Sequence, residues 1–171
     1  VTVRAQPVFN SVSTNNDTIS KYDLFEISAD ITASFTNPFD YSQVYLKSVF
    51  TSPSGNTIVI DGFYYQHYLL NAPNPVSPEG DPIWKVRFSP DETGIWTYIL
   101  SCTDNSGTAY SDASQLLCIS GDNPGFVRKS GQRFLKFDDG TSFLPVGLDI
   151  PWNLFDGGFY KYEEWLDSLA D

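Results

Sequence analysis

The residues best suited to ligand chemistry are Asp149 and Trp152, which lie in the stretch LDIPW at the end of an apolar run. A carboxylate can accept hydrogen bonds from ligand hydroxyl groups, while an indole ring can stack on an apolar ligand face. Asp149 and Trp152 are therefore the candidate substrate-binding residues. The alternative is that Asp149 orients the loop backbone and Trp152 covers the rim of the fold, and the sequence leaves both open.

The other reactive side chains favour structural roles. Cys102 and Cys118, the two cysteines of the chain, lie in predicted neighbouring strands, where they form either a candidate disulfide or two buried thiols. His67 is the single histidine, and neither a nucleophile motif nor zinc-ligand spacing accompanies it. We therefore predict no metal and no cofactor. Asp138 and Asp139 are assigned to a turn, where carboxylates accept backbone N–H bonds.

Charge and composition exclude several classes of partner. Ten Lys and Arg against 21 Asp and Glu give a net charge of -11, which repels nucleic acid and anionic lipid surfaces. The 41% apolar content indicates a globular chain, and no apolar run reaches the roughly 20 residues of a membrane span. We expect neither nucleic acid nor a membrane as partner. An acidic surface rich in hydroxyl and amide groups suits neutral, hydroxyl-rich ligands, or it simply keeps the chain in solution.

Residues 1–121 are predicted to form an antiparallel β-sandwich of the immunoglobulin or fibronectin type. Apolar and polar residues alternate in FEISADIT, IWKVRF and GIWTYILSC, so each strand has one buried face. Turn signals such as PSGN recur about every ten residues, as in such sandwiches. Trp84 and Trp96 occupy inward positions and are predicted core residues. The segment 66–82, with its four prolines, is predicted to be a long loop.

The pattern changes after residue 121, and residues 122–171 are predicted to form a second unit. GDNPGF breaks the sandwich pattern, and DDGT predicts a hairpin turn. The apolar run SFLPVGLDI is typical of a strand in a parallel sheet, and YKYEEWLDSLAD has a helical period. Strand, loop and helix in this order predict the first β-α unit of a (β/α)8 barrel, with Asp149 and Trp152 at the carboxyl end of its strand.

Several segments resemble a known family, namely NPFD, SPSG, DGFYY, KVRFSPDETGIWTY and, most specifically, GFVRKSGQRFLKFDDGTSFLPVG followed by LDIPW. They look like the β-sandwich domain of unknown function that precedes the catalytic barrel in many secreted bacterial glycoside hydrolases, in particular the apiosidase-like group. The resemblance covers nearly the whole chain.

The resemblance implies that the parent protein is a secreted or cell-surface bacterial enzyme that degrades a plant or algal polysaccharide with two carboxylates. The sandwich would then be a non-catalytic accessory domain. In the related barrels the carboxylates follow the fourth and seventh strands, so no catalytic residue can be assigned here, and this segment alone should be inactive. Its implied partners are the glycan and the remainder of the barrel.

The sequence also supports expectations about its own extent and about other classes of protein. Because the chain has no Met and no signal-like segment, we expect a mature or trimmed product. One strand and one helix cannot close a barrel, so either the rest of the barrel is missing from the sequence, which we expect, or the terminal unit packs on another chain. The alternatives to the enzyme are a stand-alone carbohydrate-binding module and a cell-surface adhesion module of fibronectin type.

Overall fold

A computed structural model describes residues 5–71, 74–131, 133–147 and 165–169. The first sheet contains, in spatial order, β1 (Val8–Thr14), β3 (Phe25–Thr32), β7 (Asn74–Phe88) and β6 (Phe63–Asn71). β3 pairs antiparallel with both β1 and β7. Every second residue of β3 is buried, so the alternation in the sequence correctly predicted which face of this strand enters the core.

The second sheet contains, in spatial order, β2 (Thr18–Ser20), β10 (Ser114–Ile119), β8 (Gly94–Asp104), β4 (Val44–Thr51) and β5 (Thr57–Asp61), while β9 (Gly107–Tyr110) also pairs with β8. β4 and β5 form the hairpin predicted around PSGN. β2 pairs in parallel with β10. The chain therefore changes sheet between β1 and β2.

The chain changes sheet again at Gly62, which divides TIVIDGFYY into β5 and β6 where the sequence predicts one strand. The Gly62 N–H donates to the Leu46 carbonyl at 2.8 Å. A Cβ at this position would lie 2.6 Å from Leu46 Cδ2, so the close approach of the two strands requires glycine.

The two sheets pack through one aromatic and aliphatic core. Phe50 stacks on Phe88 with 4.1 Å between ring centroids, and Phe88 meets Trp96 edge to face at 5.0 Å. Trp84 and Trp96 are 3% and 0% exposed, which confirms them as core residues. The Trp96 Nε1–H donates to the Glu92 carbonyl at 2.8 Å, so burial leaves its polar atom bonded.

Asp104, at the end of β8, is a buried carboxylate that holds three chain segments together. It accepts hydrogen bonds from the Ser34 N–H at 2.8 Å and the Ser106 N–H at 2.7 Å. Burial alone would raise the pKa of Asp104, but hydrogen bonds from Ser106, Ser34 and Gly107 together lower it below the ordinary value. The folded state therefore favours the charged form of Asp104.

A small third sheet follows the sandwich. It is an antiparallel meander of β11 (Arg128–Ser130), β12 (Phe134–Lys136) and β13 (Ser142–Phe143). The turn between β12 and β13 is the hairpin predicted at DDGT. The chain divides into two compact units, and the meander belongs with the sandwich to the first, which comprises residues up to Tyr65 and Pro82–Phe143. This unit crosses the predicted boundary between residues 121 and 122.

The second unit comprises Gln66–Asp81 and the chain from Leu144 onward. The prediction of a loop over 66–82 is wrong, because residues 66–71 and 74–82 belong to β6 and β7, which pair with each other and form what we call the arm. In the arm, Gln66 Nε2 donates to the carbonyls of Glu79 at 3.1 Å and Gly80 at 3.2 Å. The register of β3 with β7 covers only Trp84–Phe88. The part of β7 before Trp84 lies outside this register, and a strand edge without a partner tolerates proline.

The described residues do not show the predicted first β-α unit of a barrel. Residues 144–147 have no regular secondary structure, whereas a parallel strand was predicted through them, and residues 165–169 are helical. The remainder of that predicted unit, residues 148–164 and 170–171, lies outside the described part of the chain. Within the described part, no helix is long and apolar enough to cross a membrane.

Candidate functional site

Asp149 and Trp152, the predicted substrate-binding residues, both lie outside the described residues, so their role stays a prediction. Among the described residues, 121–126 lie in the connection between β10 and β11. We call this segment the joint. Its contacts determine how the meander is attached to the sandwich.

The joint is bonded to the connection between β2 and β3. Asn123 Oδ1 accepts a hydrogen bond from the Gly125 N–H at 3.0 Å, and Asn123 Nδ2 donates to the Tyr22 carbonyl at 3.5 Å. Tyr22 has a φ of +69°, which is uncommon for a residue other than glycine. Its N–H donates to the Pro90 carbonyl at 2.8 Å, and this bond anchors the strained backbone.

The meander meets the joint through aromatic and charged side chains. The Phe126 ring packs edge to face on Tyr22, with 5.4 Å between centroids. The Arg128 guanidinium lies 5.3 Å from the centroid of Phe126. Asp138 accepts hydrogen bonds from the Phe126 N–H at 3.1 Å and from Arg128 Nε at 2.8 Å. The turn between β12 and β13 is thereby tied back to the joint.

Gly125 lies at the most crowded point of the joint. Its φ is +94°, and a Cβ there would lie 2.7 Å from Asp138 Cβ and 2.8 Å from Tyr22 Cζ. Beside Gly125, the Pro124 carbonyl accepts a hydrogen bond from the Asp139 N–H at 3.1 Å. These distances describe a closely packed connection, in contrast to a flexible linker, whose backbone is solvated.

The two carboxylates of the β12–β13 turn have structural partners. The hydrogen bond from Arg128 is the main cause of the lowered pKa of Asp138, and the same bond raises the pKa of Arg128. Hydrogen bonds from the side chain and backbone of Thr141 lower the pKa of Asp139. Both groups favour the ionised form, which suits the predicted turn role and would make them poor general acids near neutral pH.

A mostly apolar groove of about 300 Å³ lies beside the joint, lined by Leu24, Ile58, Ile60, Arg87, Phe88, Ser89, Asp91 and Phe126. Arg87 Nε donates to Glu26 Oε2 at 2.7 Å, and Lys85 binds the other carboxylate oxygen. Burial opposes ionisation of Glu26, but the bonds from Lys85 and Arg87 lower its pKa overall. Asp91 is the one carboxylate among the lining residues, so this groove holds no carboxylate pair for glycoside cleavage.

The candidate disulfide between Cys102 and Cys118 is not formed, and both side chains are buried free thiols. Cys118 pairs with Gly94 of β8, eight residues from Cys102 along the same strand. At about 3.4 Å per strand residue this separation far exceeds the reach of a disulfide. Burial raises the pKa of both thiols, to about 11 for Cys102, where the nearby Asp104 contributes further.

Neither histidine nor acidic residues assemble a metal centre in the part of the chain that the structure describes. No group of three or more His, Cys, Asp or Glu side chains that could hold an ion occurs there. His67 is exposed and lies on β6. Its Nε2 is 3.3 Å from a carboxylate oxygen of Glu79.

Sequence reasoning missed the joint because GDNPGF was interpreted only as a break. The glycine in NPGF followed by an aromatic residue is the signal that could have indicated a packed turn, since a positive φ at Gly125 allows the chain to fold back. Tyr22, by contrast, carries no such signal, because nothing in its neighbourhood predicts a positive φ.

The fold is thus an antiparallel β-sandwich with a meander attached through the joint. The family model of a domain of unknown function, DUF5060, matches residues 18–103. The chain belongs to this family, which agrees with the predicted β-sandwich domain of unknown function.

A solved structure from Bacteroides vulgatus, a protein whose assignment as a glycoside hydrolase is provisional, has the same fold. It is 24% identical, with a TM-score of 0.55, and the match covers 76% of this chain and 22% of that one. The match therefore spans about a fifth of the length of that protein. Among curated proteins no match was found.

Proposed function

We propose that this chain is the amino-terminal portion of a secreted bacterial glycoside hydrolase that acts on a plant or algal polysaccharide. In this proposal the sandwich is an accessory domain that orients a catalytic (β/α)8 barrel of the apiosidase-like type. The observation that carries the proposal is the packed joint, because it holds the meander on the sandwich and so gives the chain that follows Phe143 a fixed starting point.

The comparisons support the proposal without specifying an activity. The similar protein from Bacteroides vulgatus is provisionally a glycoside hydrolase, and 78% of its length lies outside the match with this chain, since the match covers 22% of it. A parent protein of that kind has room for a catalytic domain after a sandwich and meander.

The chemistry would belong to residues of the barrel. Hydrolysis of a glycosidic bond uses two carboxylates that flank it, one as acid and base and the other as nucleophile or base. Asp149 and Trp152 would bind the sugar at the mouth of the barrel, by hydrogen bonding and ring stacking respectively. The 171-residue chain alone is expected to bind glycan at most and not to cleave it.

The test compares the full product of the natural gene with the 171-residue chain on plant and algal polysaccharides, and measures the release of reducing ends. We expect release by the full product and none by the 171-residue chain. If the full product cleaves none of the polysaccharides and none of a set of aryl glycosides, the hydrolase proposal is wrong.

The role of the joint is tested in the same full product by Gly125→Ala. We expect unchanged turnover of a small aryl glycoside and slower turnover of polysaccharide, because only the polymer is long enough to touch both domains. The control is Gly140→Ala, which also replaces a glycine of positive φ but meets no atom within 4 Å. Equal polymer turnover in the two variants would contradict an orienting role.

The stand-alone carbohydrate-binding module is retained as a second candidate, because the sandwich contains a polar groove with an exposed aromatic ring, described below. The buried positions of Trp84 and Trp96 disfavour a binding platform built on those residues. Glycan binding by the 171-residue chain, together with no hydrolysis by the full product, would favour this second candidate.

A further inference from the structure

A polar groove lies where the two sheets of the sandwich are open at one edge. β1 is the edge strand of the first sheet, and both β9 and β10 pair with β8 in the second. The break between β9 and β10, residues 111–113, lies near β1. The groove between them has a volume of about 380 Å³, which is enough for part of a small ligand.

The groove is lined mainly by hydroxyl, amide and carboxylate groups, from Asn10, Ser11, Ser111, Asp112 and Ser114, together with the exposed ring of Tyr110 and the apolar side chains of Phe9 and Val12. Tyr110 is 70% exposed, so most of its ring is available to a ligand. Neither Lys nor Arg is among the lining residues. The groove therefore offers hydrogen bonds and a stacking surface without positive charge.

Several of these polar groups are held in place by bonds to the sandwich. The register of β1 with β3 shifts between Phe9 and Ser11, so Asn10 is the extra residue of a bulge. Its Nδ2 donates to Thr32 Oγ1 at 3.0 Å, which leaves the Oδ1 of the same amide as an acceptor. A fixed side chain loses less conformational entropy when a ligand binds.

The second wall of the groove is similarly anchored. Ser111 Oγ accepts a hydrogen bond from the Leu100 N–H at 3.0 Å and donates to the Asp112 carbonyl at 2.9 Å. These bonds connect residues 111 and 112 to β8, one of the central strands. This wall of the groove is therefore hydrogen-bonded to a central strand, so its polar groups are held in position before a ligand binds.

The chemistry of the groove matches a sugar. A pyranose ring presents an apolar face that stacks on an aromatic side chain, and a rim of hydroxyl groups that both donate and accept hydrogen bonds. The single lining carboxylate, Asp112, can accept bonds from hydroxyl groups but cannot perform the two-carboxylate cleavage. The net charge of -11 repels sulfated or uronic acid chains.

We propose that this groove is a non-catalytic binding site for a neutral oligosaccharide. The inference rests on the proposed function only for the class of ligand, since a polysaccharide hydrolase meets glycan chains as its substrate. The groove would hold a segment of neutral glycan on the sandwich.

The test is a titration of the 171-residue chain, followed by amide NMR, with neutral hexaoses of cellulose, xylan, mannan, laminarin and agarose. Oligogalacturonate and κ-carrageenan oligosaccharides serve as the anionic set. We expect at least one neutral hexaose to shift the amides of residues 10, 11 and 111, with a Kd on the order of 0.1–1 mM, typical of a weak binding site. The anionic set should shift none of them.

Two variants and one control identify the groups involved. Tyr110→Ala should weaken binding at least tenfold, because it removes the stacking ring. Asp112→Ala should also weaken binding, by about threefold or more, because it removes an acceptor for ligand hydroxyl groups. Tyr41→Ala, which removes a tyrosine that is 61% exposed elsewhere in the sequence, should leave binding unchanged.

Three outcomes would overturn the inference. The first is that no neutral hexaose shifts any amide signal at about 10 mM, far above the expected Kd. The second is that the shifted amides lie outside the groove, and the third is that Tyr110→Ala binds with wild-type affinity. Failure here remains distinct from failure of the proposed function. Hydrolysis by the full gene product without groove binding refutes only the groove, whereas groove binding without hydrolysis refutes only the enzyme.

Discussion

Replacing Gly125 by alanine should loosen the joint while the sandwich stays folded. The matched control is Gly140→Ala in the β12–β13 turn. The two glycines have nearly equal φ values, +94° and +92°, but only Gly125 has atoms where the new Cβ would lie. The comparison therefore separates the cost of close packing from the cost of backbone conformation.

The difference between the variants can be worked from the contacts. A positive φ costs an L-residue about 1–2 kcal/mol, and both variants carry this cost. At Gly125 the Cβ would also lie within 3 Å of Asp138 and of the Tyr22 ring. Moving that ring gives up its contact with Phe126, worth about 0.5–1.5 kcal/mol, and an off-rotamer side chain adds about 0.5–1.5 kcal/mol. The excess is thus about 1–3 kcal/mol, or about 5–150-fold in a local opening equilibrium.

Hydrogen exchange at two amides measures this opening directly. The Phe126 N–H donates to Asp138 and the Asp139 N–H donates to the Pro124 carbonyl, so each bond links the joint to the β12–β13 turn. Both should exchange about 5–150-fold faster in Gly125→Ala than in Gly140→Ala, while amides of β8 keep their protection in both. Equal exchange at the two joint amides in the two variants would refute the reasoning that Gly125 is required by packing.

Three further perturbations probe the sandwich itself. Because the pKa of Asp104 is lowered in the folded state, its contribution to stability is complete above the unfolded value near 4 and is lost as the pH falls through the folded pKa. In Asp104→Asn the free energy of unfolding, measured with urea, should therefore fall less steeply below about pH 4 than in the wild type. The same pH dependence in both proteins would contradict this. Gly62→Ala should lower the free energy of unfolding by about 1–3 kcal/mol through overpacking, and a change in Tm within error would oppose it. Cys102 and Cys118 should react with a thiol reagent only after denaturation, and a Tm that falls on adding reductant would instead indicate a disulfide.

The strands that form the core were predictable from the sequence because their burial is periodic. β3 and β8 each bury every second residue, and that pattern follows directly from the pleat of a strand. The inward phase of Trp84 and Trp96 followed from the same period. Short turn sequences likewise predicted the hairpins at PSGN and DDGT, since their glycines permit backbone conformations that other residues avoid.

The rest depends on contacts between residues far apart in sequence. Nothing local to TIVIDGFYY says that Leu46 will approach Gly62 and move the chain to the other sheet. The pairing of Cys118 with Gly94 is a matter of register, which spacing along the chain does not give. The arm formed by β6 and β7 was missed because proline density usually indicates a loop, whereas a strand paired on one side accepts it.

The candidate site was predicted less completely than the core. Asp149 and Trp152 came from residue type and position after an apolar run, and they stay predictions. The polar groove could not be found from sequence, since its walls come from β1 and from residues about 100 positions later, which only the sheet topology brings together.

The parallel pairing of β2 with β10 has a consequence for how the domain responds to mechanical force. The chain enters β2 and leaves β10 at opposite ends of this pair, because the two strands run in the same direction. Tension along the polypeptide therefore acts in shear and stresses the pairing hydrogen bonds simultaneously, instead of opening them one after another. We expect single-molecule pulling between attachment points just before β2 and just after β10 to show one abrupt rupture of this pair, and a gradual, low-force unzipping would contradict this expectation.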